Sequence, residues 1–463
     1  MLWAEGAMGQ EAMGFGLSML YLIAIWAALL VALVVFATGR PGKGGALTLA
    51  YFLGLSLIYV PGVLPFLGSG VGLSDRDQTQ LGFEMTILGM AAFVAGAVLA
   101  RCIDRRRAAA KGAPPRRRAQ AFNRLGWRAL ALGVVAYFMM LPLSFKVPSL
   151  TSIVAPLATL LILGLWLALY GAAVAADRRR MLAIFALLPL LPLATLVTGG
   201  FLGFGVYWVL SILAFFFVIT RRRIWFYITA LPLAFLGLSL FVTYMGQRVG
   251  IREVVWHEQA GLFDRLDRAS SIITKFELLD LTSHAQIAAL NDRLNQNAFV
   301  GMAVMRHNSG WSDFAYGATV PLWALIPRAV WPGKPAVGGS GNIVSDFTGI
   351  RFAAGTSIGV GQVFEFYVNF GVPGVMIGFL SLGYLLMWLD QGIMRALAAD
   401  DMRGLLLRAM PGLMLLQPGG SLLEIIVGCV AAYIAAHLVV WLKFLAIPST
   451  VRPSRQMAGL RRP

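Results

Sequence analysis

The chain contains few charged residues and almost no cysteine. Charged residues make up only 13% of its 463 residues, and cysteine occurs twice, whereas about a quarter of the residues in a soluble globular domain are charged. Cys102 and Cys429 cannot build an external disulfide framework, and no spacing of Cys and His residues is typical of a zinc site. The sequence argues against a soluble domain, and we expect neither a metal nor another cofactor.

Apolar sequence is abundant. Hydrophobic residues account for 59% of the chain, and the mean hydropathy is +0.76. A membrane crossing needs roughly 20 apolar residues, and its backbone must satisfy its own hydrogen bonds, which favours helices. The sequence predicts an all-α, polytopic integral membrane helical bundle with about eleven transmembrane helices. The candidate crossings are residues 16–38, 46–67, 83–100, 129–145, 151–175, 181–198, 201–219, 225–245, 371–389, 403–417 and 421–445.

Acidic residues are scarce, at 21 against 38 Lys and Arg, so the formal net charge is +17. The excess is spread over six short segments, which favours a topology signal and contact with anionic membrane lipids over a nucleic-acid partner. With eleven crossings all six segments fall on one side, and cytoplasmic loops are rich in Lys and Arg. We therefore predict an external N-terminus and a cytoplasmic C-terminus. The six segments are Arg40 with Lys43, residues 101–128, 178–180 and 221–223, Arg395 with Arg403 and Arg408, and the tail from Lys443.

Many of the remaining charged residues and most of the histidines lie between the eighth and ninth predicted crossings. Residues 246–370 carry ten of the 21 acidic residues, ten of the 38 basic residues and three of the four His. We therefore divide the chain into residues 1–245 with helices 1 to 8, a large external loop at 246–370, and residues 371–463 with helices 9 to 11 and a basic cytoplasmic tail. The loop is where chemistry outside the bilayer is expected.

The loop itself has two parts. Residues 253–297 show the pattern of amphipathic helices, with Phe276, Leu279 and Leu281 among the apolar positions and with charges that face solvent. Residues 301–371 are rich in Gly, Pro and aromatic side chains, and loops of that kind commonly carry binding and catalysis.

One segment of the loop is nearly long enough to cross the membrane. Residues 314–330 contain Pro321, Pro327 and Arg328. Proline removes a backbone donor, and an arginine in mid-bilayer costs about 3 kcal/mol on insertion scales. We predict a re-entrant or interfacial segment. In the alternative, the segment crosses and residues 355–370 return.

Two motifs in this loop resemble a known family. The sequence WSDFAYGATVPLWALIPRAVWPGKP, followed by TSIGVGQVFEFYVNFGVPGVMIG, is similar to the signature region of Wzy-type O-antigen and exopolysaccharide repeat-unit polymerases. In that family a Pro-Arg pair, Trp-Pro and Lys-Pro precede a Gly-rich stretch and a Glu shortly before a Tyr-x-Asn-Phe-Gly run. The matching positions here are Pro327, Arg328, Trp331, Pro332, Lys334 and Pro335, then Glu365, Tyr367, Asn369, Phe370 and Gly371.

The resemblance implies a metal-independent glycosyltransferase of the bacterial inner membrane with a GT-C-like fold. Such an enzyme polymerises oligosaccharide repeat units linked to polyprenyl diphosphate, such as undecaprenyl diphosphate, on the periplasmic face during polysaccharide biosynthesis. It uses no nucleotide-sugar donor. Its implied partners are the lipid-linked donor and acceptor glycans, membrane lipids, a chain-length regulator and a flippase.

Candidate site residues follow from that chemistry. Guanidinium groups bind phosphate in a bidentate manner and stabilise charge on a departing diphosphate, and the available cations are Arg328, Arg306, Arg248, Arg252, Lys334 and Arg351. The acceptor hydroxyl must lose a proton, for which the candidates are Glu365, His307 and Asp313. Glu365 lies in an apolar stretch, so we expect it to have either a cation partner or a catalytic role. The candidates for sugar binding are Trp331, Trp311, Tyr316, Tyr367 and Asn369.

Other interpretations stay open. Trp and Tyr near a bilayer edge also form interfacial belts, and Lys334 and Arg351 are also placed to snorkel toward headgroups. An O-antigen ligase would use a similar loop with a different acceptor. A flippase for lipid-linked oligosaccharide would break no bond, but the sequence shows no repeat between its halves and few charges within the crossings.

Overall fold

The computed structural model describes residues 2–39, 44–67, 76–104, 116–144, 150–257, 261–310, 326, 331, 340–352, 359 and 361–442. Regular structure in these residues is helical throughout, and they contain no strand. The all-helical fold predicted from the apolar runs is confirmed.

The helices are numbered here in chain order. The part of the chain up to residue 257 forms α1 (Leu2–Thr38), α2 (Ala46–Tyr59), α3 (Arg76–Ile103), α4 (Arg116–Val135), α5 (Leu141–Ser144), α6 (Leu150–Val154), α7 (Thr159–Val174), α8 (Arg178–Leu187), α9 (Leu190–Gly199), α10 (Gly203–Thr220) and α11 (Arg223–Arg252). Short 3₁₀ or π segments extend or join them at Pro61–Leu67, Ala136–Met140, Ala155–Ala158 and Glu253–His257. The later part forms α12 (Leu262–Thr274), α13 (His284–Leu294), α14 (Gln296–Asn308), α15 (Ser340–Thr348), α16 (Gly361–Ala399), α17 (Met402–Met414) and α18 (Leu422–Trp441).

The described helices identify an integral membrane protein. Nine spans within the described residues are long and apolar enough to cross a bilayer, and α2 with Pro61–Leu67, bent by 44°, makes a tenth. These ten correspond to ten of the eleven predicted crossings. The predicted crossing at 403–417 instead contains α17, which has only 13 residues and includes Pro411. A helix of that length rises about 20 Å, which is short of the roughly 30 Å of hydrocarbon.

Several helix ends meet at one end of the bundle, which we call the basic face and define by Gly39, Gly44, Arg101 and Arg221. Arg101, near the end of α3, donates from Nη2 to the Gly44 carbonyl at 3.0 Å. Arg221, just after α10, donates from Nη2 to the Gly39 carbonyl at 3.3 Å. Three of the basic segments therefore lie at the same end of the bundle, which is the arrangement that the alternating basic loops predict.

A buried carboxylate holds α2 at the basic face. Asp390 of α16 is only 2% exposed. It accepts hydrogen bonds from the Leu47 amide at 2.9 Å, the Thr48 amide at 3.0 Å and the Thr48 hydroxyl at 2.8 Å. The first N–H groups of a helix have no intrahelical partner, and a negative charge is favourable there. Asp390 therefore caps α2 and joins it to α16.

Glycines on α3 allow other helices to approach closely. Gly82, Gly89 and Gly96 are seven residues apart, or about two helical turns, so they share one face of α3. A Cβ atom at Gly82 would clash with the backbone of Asn297 in α14, and a Cβ at Gly96 would clash with the carbonyl of Leu380 in α16. Small residues at such contacts let membrane helices pack backbone to backbone. The three glycines of α3 therefore position both α14 and α16.

We expect a Gly96→Ala substitution to lower stability by roughly 1–3 kcal/mol, because an added methyl overpacks a contact that has no spare room. The matched control is Gly237→Ala in α11, where no atom lies within 4 Å of the new Cβ. Thermal melting in detergent should show a lower midpoint for Gly96→Ala alone. Equal melting of the two variants would contradict the close α3–α16 contact.

The amphipathic region after α11 is shorter than predicted. In α12, Asp264, Asp267 and Arg268 are exposed, while Ala269 and Ile272 are buried against residues of α9 and α11. The prediction of helix through Phe276, Leu279 and Leu281 is wrong, because residues 275–283 are not helical.

A local turn favours the non-helical conformation just before α13. The Asp280 carboxylate accepts hydrogen bonds from the Thr282 amide at 2.8 Å and the Thr282 hydroxyl at 2.7 Å. Such a side-chain to backbone bond two residues ahead favours a turn over a helix. The helical pattern therefore resumes only at α13.

Part of segment 246–370 lies within the bundle. Asn297 of α14 is fully buried; it donates to the Tyr59 carbonyl at 2.7 Å and accepts from the Thr86 hydroxyl at 2.9 Å. A Cβ at Gly301 would clash with the backbone of Gln78. α14 therefore packs between α3 and the end of α2, although its sequence is not apolar enough to predict this.

α16 is a helical hairpin rather than one straight helix. Gly371 has φ 63° and ψ −153°, a conformation that only glycine adopts readily. The rings of Phe366 and Phe379 lie 5.5 Å apart, and a Cβ at Gly378 would lie 2.6 Å from the Phe366 ring. In a straight helix residues 366 and 378 would be about 18 Å apart. Residues 361–370, the short arm, therefore fold back on residues 372–399, the long arm.

Candidate active site

Three polar side chains follow one face of the short arm. Gln362, Glu365 and Asn369 are only 0%, 6% and 9% exposed. Their spacing of three and then four residues places them on the same side of a helix. We call this set the polar stripe. Burying a polar group without a hydrogen bond costs several kcal/mol. We therefore expect each of these three side chains to have a hydrogen-bond partner.

Gln362 is held by three hydrogen bonds. Its Oε1 accepts from the Tyr51 hydroxyl at 2.6 Å. Its Nε2 donates to the carbonyls of Gln417 and Gly420, both at 2.8 Å. The inner end of the polar stripe is therefore fixed between α2 and the connection from α17 to α18.

Glu365 lies at the N-terminus of α18. Its Oε2 accepts a hydrogen bond from the Leu422 amide at 2.6 Å, and Leu422 is the first residue of that helix. Ser421 and Glu424 form a capping box at the same helix end. The positive end of a helix dipole stabilises a carboxylate. The partner of Glu365 in the structure is thus a helix N-terminus, which the sequence did not predict.

The far end of the polar stripe meets α14. Asn369 donates from Nδ2 to the Glu365 carbonyl at 2.8 Å. Tyr367 is 4% exposed, and its ring centroid lies 6.4 Å from that of His307 in an edge-to-face arrangement. Tyr367 is therefore packed against His307 instead of presenting an open ring face to a sugar. Arg306, one residue before His307, lies against Gly349.

Seven further predicted site residues are either exposed or outside the described residues. Arg351 is exposed and Trp331 is 38% exposed. Five candidates fall outside the described residues, as does segment 314–330 except Ile326; they are Asp313, Arg328, Lys334, Trp311 and Tyr316.

A second constellation consists of three arginines around a tyrosine. Arg248 and Arg252, one turn apart near the end of α11, both interact with the Tyr244 side chain. Arg293 at the end of α13 lies close enough to repel both of them. The Tyr244 hydroxyl donates to the Gly200 carbonyl at 2.9 Å. We call Arg248, Arg252 and Arg293 the arginine cluster. Guanidinium groups bind phosphate through paired hydrogen bonds, so like charges held together in this way are complementary to a multivalent anion.

The arginine cluster and the polar stripe flank the first turns of α10. The Arg252 guanidinium lies 4.8 Å above the Phe201 ring, two residues before α10 begins. Tyr207 of α10 directs its hydroxyl toward Gly419, which neighbours the carbonyl that binds Gln362. Phe201 and Tyr207 are separated by fewer than two helical turns. The start of α10 therefore lies near residues of both sets.

Among the described residues, no three His, Cys, Asp or Glu side chains form a group that would hold a metal ion. Comparisons of the chain with models of protein families, with curated proteins and with solved structures find no match.

Sequence reasoning missed part of both constellations. Gln362 lies three residues before Glu365, so helical spacing within an apolar stretch would have found it. Arg293 is 41 residues beyond Arg252 in the sequence, and only the packing of α13 near the end of α11 brings them together. Tyr244 looks like an ordinary residue of an apolar run.

Proposed function

We propose that this protein is a membrane glycosyltransferase that polymerises polyprenyl-diphosphate-linked oligosaccharide repeat units on the periplasmic face of the bacterial inner membrane. The observation that carries the proposal is the arginine cluster. Arg248 has Arg252 and Arg293 as charged neighbours, and a diphosphate headgroup would relieve that repulsion. The similarity of the loop motifs to Wzy-type polymerases supports the same function.

The proposed reaction uses the two lipid-linked substrates, the arginine cluster and Glu365. A hydroxyl oxygen of one lipid-linked glycan attacks the anomeric carbon of another, and the bond from that carbon to the diphosphate oxygen breaks. The diphosphate leaves with its electron pair, and the arginine cluster stabilises its growing charge. Glu365 accepts the hydroxyl proton. Because diphosphate is a good leaving group, no acid is needed to protonate its departing oxygen.

The direct test is reconstitution. Purified protein in liposomes, supplied with a synthetic polyprenyl-diphosphate-linked repeat, should yield a ladder of longer glycans and one free polyprenyl diphosphate for each bond formed. A flippase would move the substrate without releasing diphosphate. A ligase would leave single repeats and transfer glycan only to an added lipid A acceptor. Absence of both longer glycans and free diphosphate would contradict the proposal.

The orientation of the protein makes a separate prediction. Cys102 is exposed at the end of α3, next to Arg101 of the basic face, which we assign to the cytoplasm because of its charge. In a Cys429→Ser background, a membrane-impermeant maleimide should label Cys102 only after permeabilisation. Leu281→Cys in a Cys102→Ser, Cys429→Ser background should react in intact cells, because Leu281 is 51% exposed in segment 246–370. The opposite labelling pattern would reverse the proposed orientation.

A further inference from the structure

Two buried amide oxygens, one in the polar stripe and one in α14, have no donor among the residues that the structure describes. They are Oε1 of Gln296, in the first turn of α14, and Oδ1 of Asn369, at the end of the short arm. Both side chains are 9% exposed. The orientation of the Asn369 amide is fixed, because its Nδ2 donates to a carbonyl. Buried polar atoms are nearly always paired, and exceptions call for an explanation.

The chemistry of these atoms restricts what can pair with them. An amide oxygen accepts hydrogen bonds and donates none. An ionised phosphate also only accepts, so it cannot satisfy either oxygen. A sugar hydroxyl or the N–H of an acetamido sugar donates. Water also donates, and a bound glycan would displace it, so the unpaired oxygens are complementary to the donors of a glycan, whereas the arginine cluster is complementary to an anion.

The two oxygens lie at opposite ends of one surface. α14 and the short arm run side by side, because Gln296 approaches Gly359 just before the short arm and His307 contacts Tyr367 near its other end. The short arm from Gly361 to Asn369 rises about 12 Å. That length exceeds one pyranose ring, so a ligand bonded at both ends would contain at least two sugars.

We propose that Gln296 and Asn369 bind the hydroxyl or acetamido groups of the acceptor glycan and thereby fix its register. This inference rests on the proposed function. It assigns the diphosphate of the donor and the sugars of the acceptor to different residues. The diphosphate of the donor binds at the arginine cluster, and the sugars of the acceptor lie along the polar stripe with the reacting hydroxyl near Glu365.

The test measures two affinities independently. One probe is the unlipidated oligosaccharide repeat released by mild acid from the lipid-linked pool of the source organism, and the other is farnesyl diphosphate. Gln296→Met and Asn369→Leu remove the acceptor oxygen with little change in size. We expect each to weaken binding of the oligosaccharide by about tenfold while leaving binding of farnesyl diphosphate within twofold. Arg248→Gln should show the reverse pattern.

Controls separate this subsite from a folding defect. Gln286→Met removes an exterior amide on α13 and should change neither affinity. Gln296→Glu keeps an acceptor oxygen and should retain glycan binding.

In turnover, Asn369→Leu should raise KM for the acceptor more than it lowers kcat. If wild type binds no oligosaccharide, or if Gln296→Met and Asn369→Leu bind it normally, the subsite is disproved. If the affinities separate as expected but lipid-linked repeats are never joined, the subsite stands and the proposed polymerase activity fails.

Discussion

Replacing Arg248 with glutamine is expected to slow polymerisation by about 100-fold, the usual loss when one preorganised charge-stabilising group is removed. Glutamine keeps polarity and most of the length but cannot neutralise a departing diphosphate. Arg248 is partly buried beside Arg252 and Arg293, so its charge acts where water screens it incompletely. Removing one of three mutually repelling charges should not destabilise the fold.

The matched control for Arg248 is Arg180→Gln. Arg180 belongs to the basic segment at 178–180, and its exposed side chain pairs with Asp177 at 3.0 Å. Exposed pairs of this kind contribute about 0–1 kcal/mol, so the control should polymerise as wild type does. Initial rates of ladder formation and melting midpoints give the comparison. Equal rates for both variants would remove Arg248 from the mechanism.

Glu365→Gln should abolish turnover without unfolding the protein. The glutamine amide oxygen can still accept the Leu422 N–H, so the contact with α18 survives. A neutral amide cannot take the hydroxyl proton, and loss of a general base slows a reaction by about 100-fold or more. We therefore expect a normal melting midpoint, normal binding of farnesyl diphosphate and almost no product.

Asp390→Asn is the matched comparison, because Asp390 is also a buried carboxylate of α16 at a helix N-terminus. Its two oxygens accept three hydrogen bonds from Leu47 and Thr48. Asparagine keeps one acceptor oxygen and turns an NH₂ group toward donors, which should lower the free energy of unfolding by roughly 2–4 kcal/mol. Turnover per folded molecule should be unchanged. If Glu365→Gln behaves in this same way, Glu365 only caps α18.

The sequence predicted the helices well because a long apolar run is the main signal of a transmembrane helix. The predicted crossing at 403–417 is the exception, because α17 has only 13 residues, contains Pro411 and is followed by the run Gln417–Gly420. The sequence did not predict the packing of α14, since the burial of Asn297 depends on glycines of α3 that are more than 200 residues away. Such tertiary contacts leave no local pattern.

The candidate site was predictable only in part for the same reason. Glu365 and Asn369 stood out as polar residues in an apolar stretch, but the hairpin at Gly371 and the helix N-terminus at Leu422 were not visible. Arg248 and Arg252 were found as cations in the loop, whereas their convergence with Arg293 required the fold. The motif around Arg328 lies outside the described residues, so its role stays a prediction.

The central claim is that the arginine cluster binds the diphosphate headgroup. Its most direct test is the affinity of undecaprenyl diphosphate for the purified protein in nanodiscs, compared among wild type, Arg248→Gln, Arg293→Gln and Arg180→Gln. We predict affinity about tenfold weaker for the first two variants, as expected when a charged hydrogen-bond partner of a phosphate is lost, and wild-type affinity for Arg180→Gln. Undiminished binding by both Arg248→Gln and Arg293→Gln would contradict the account.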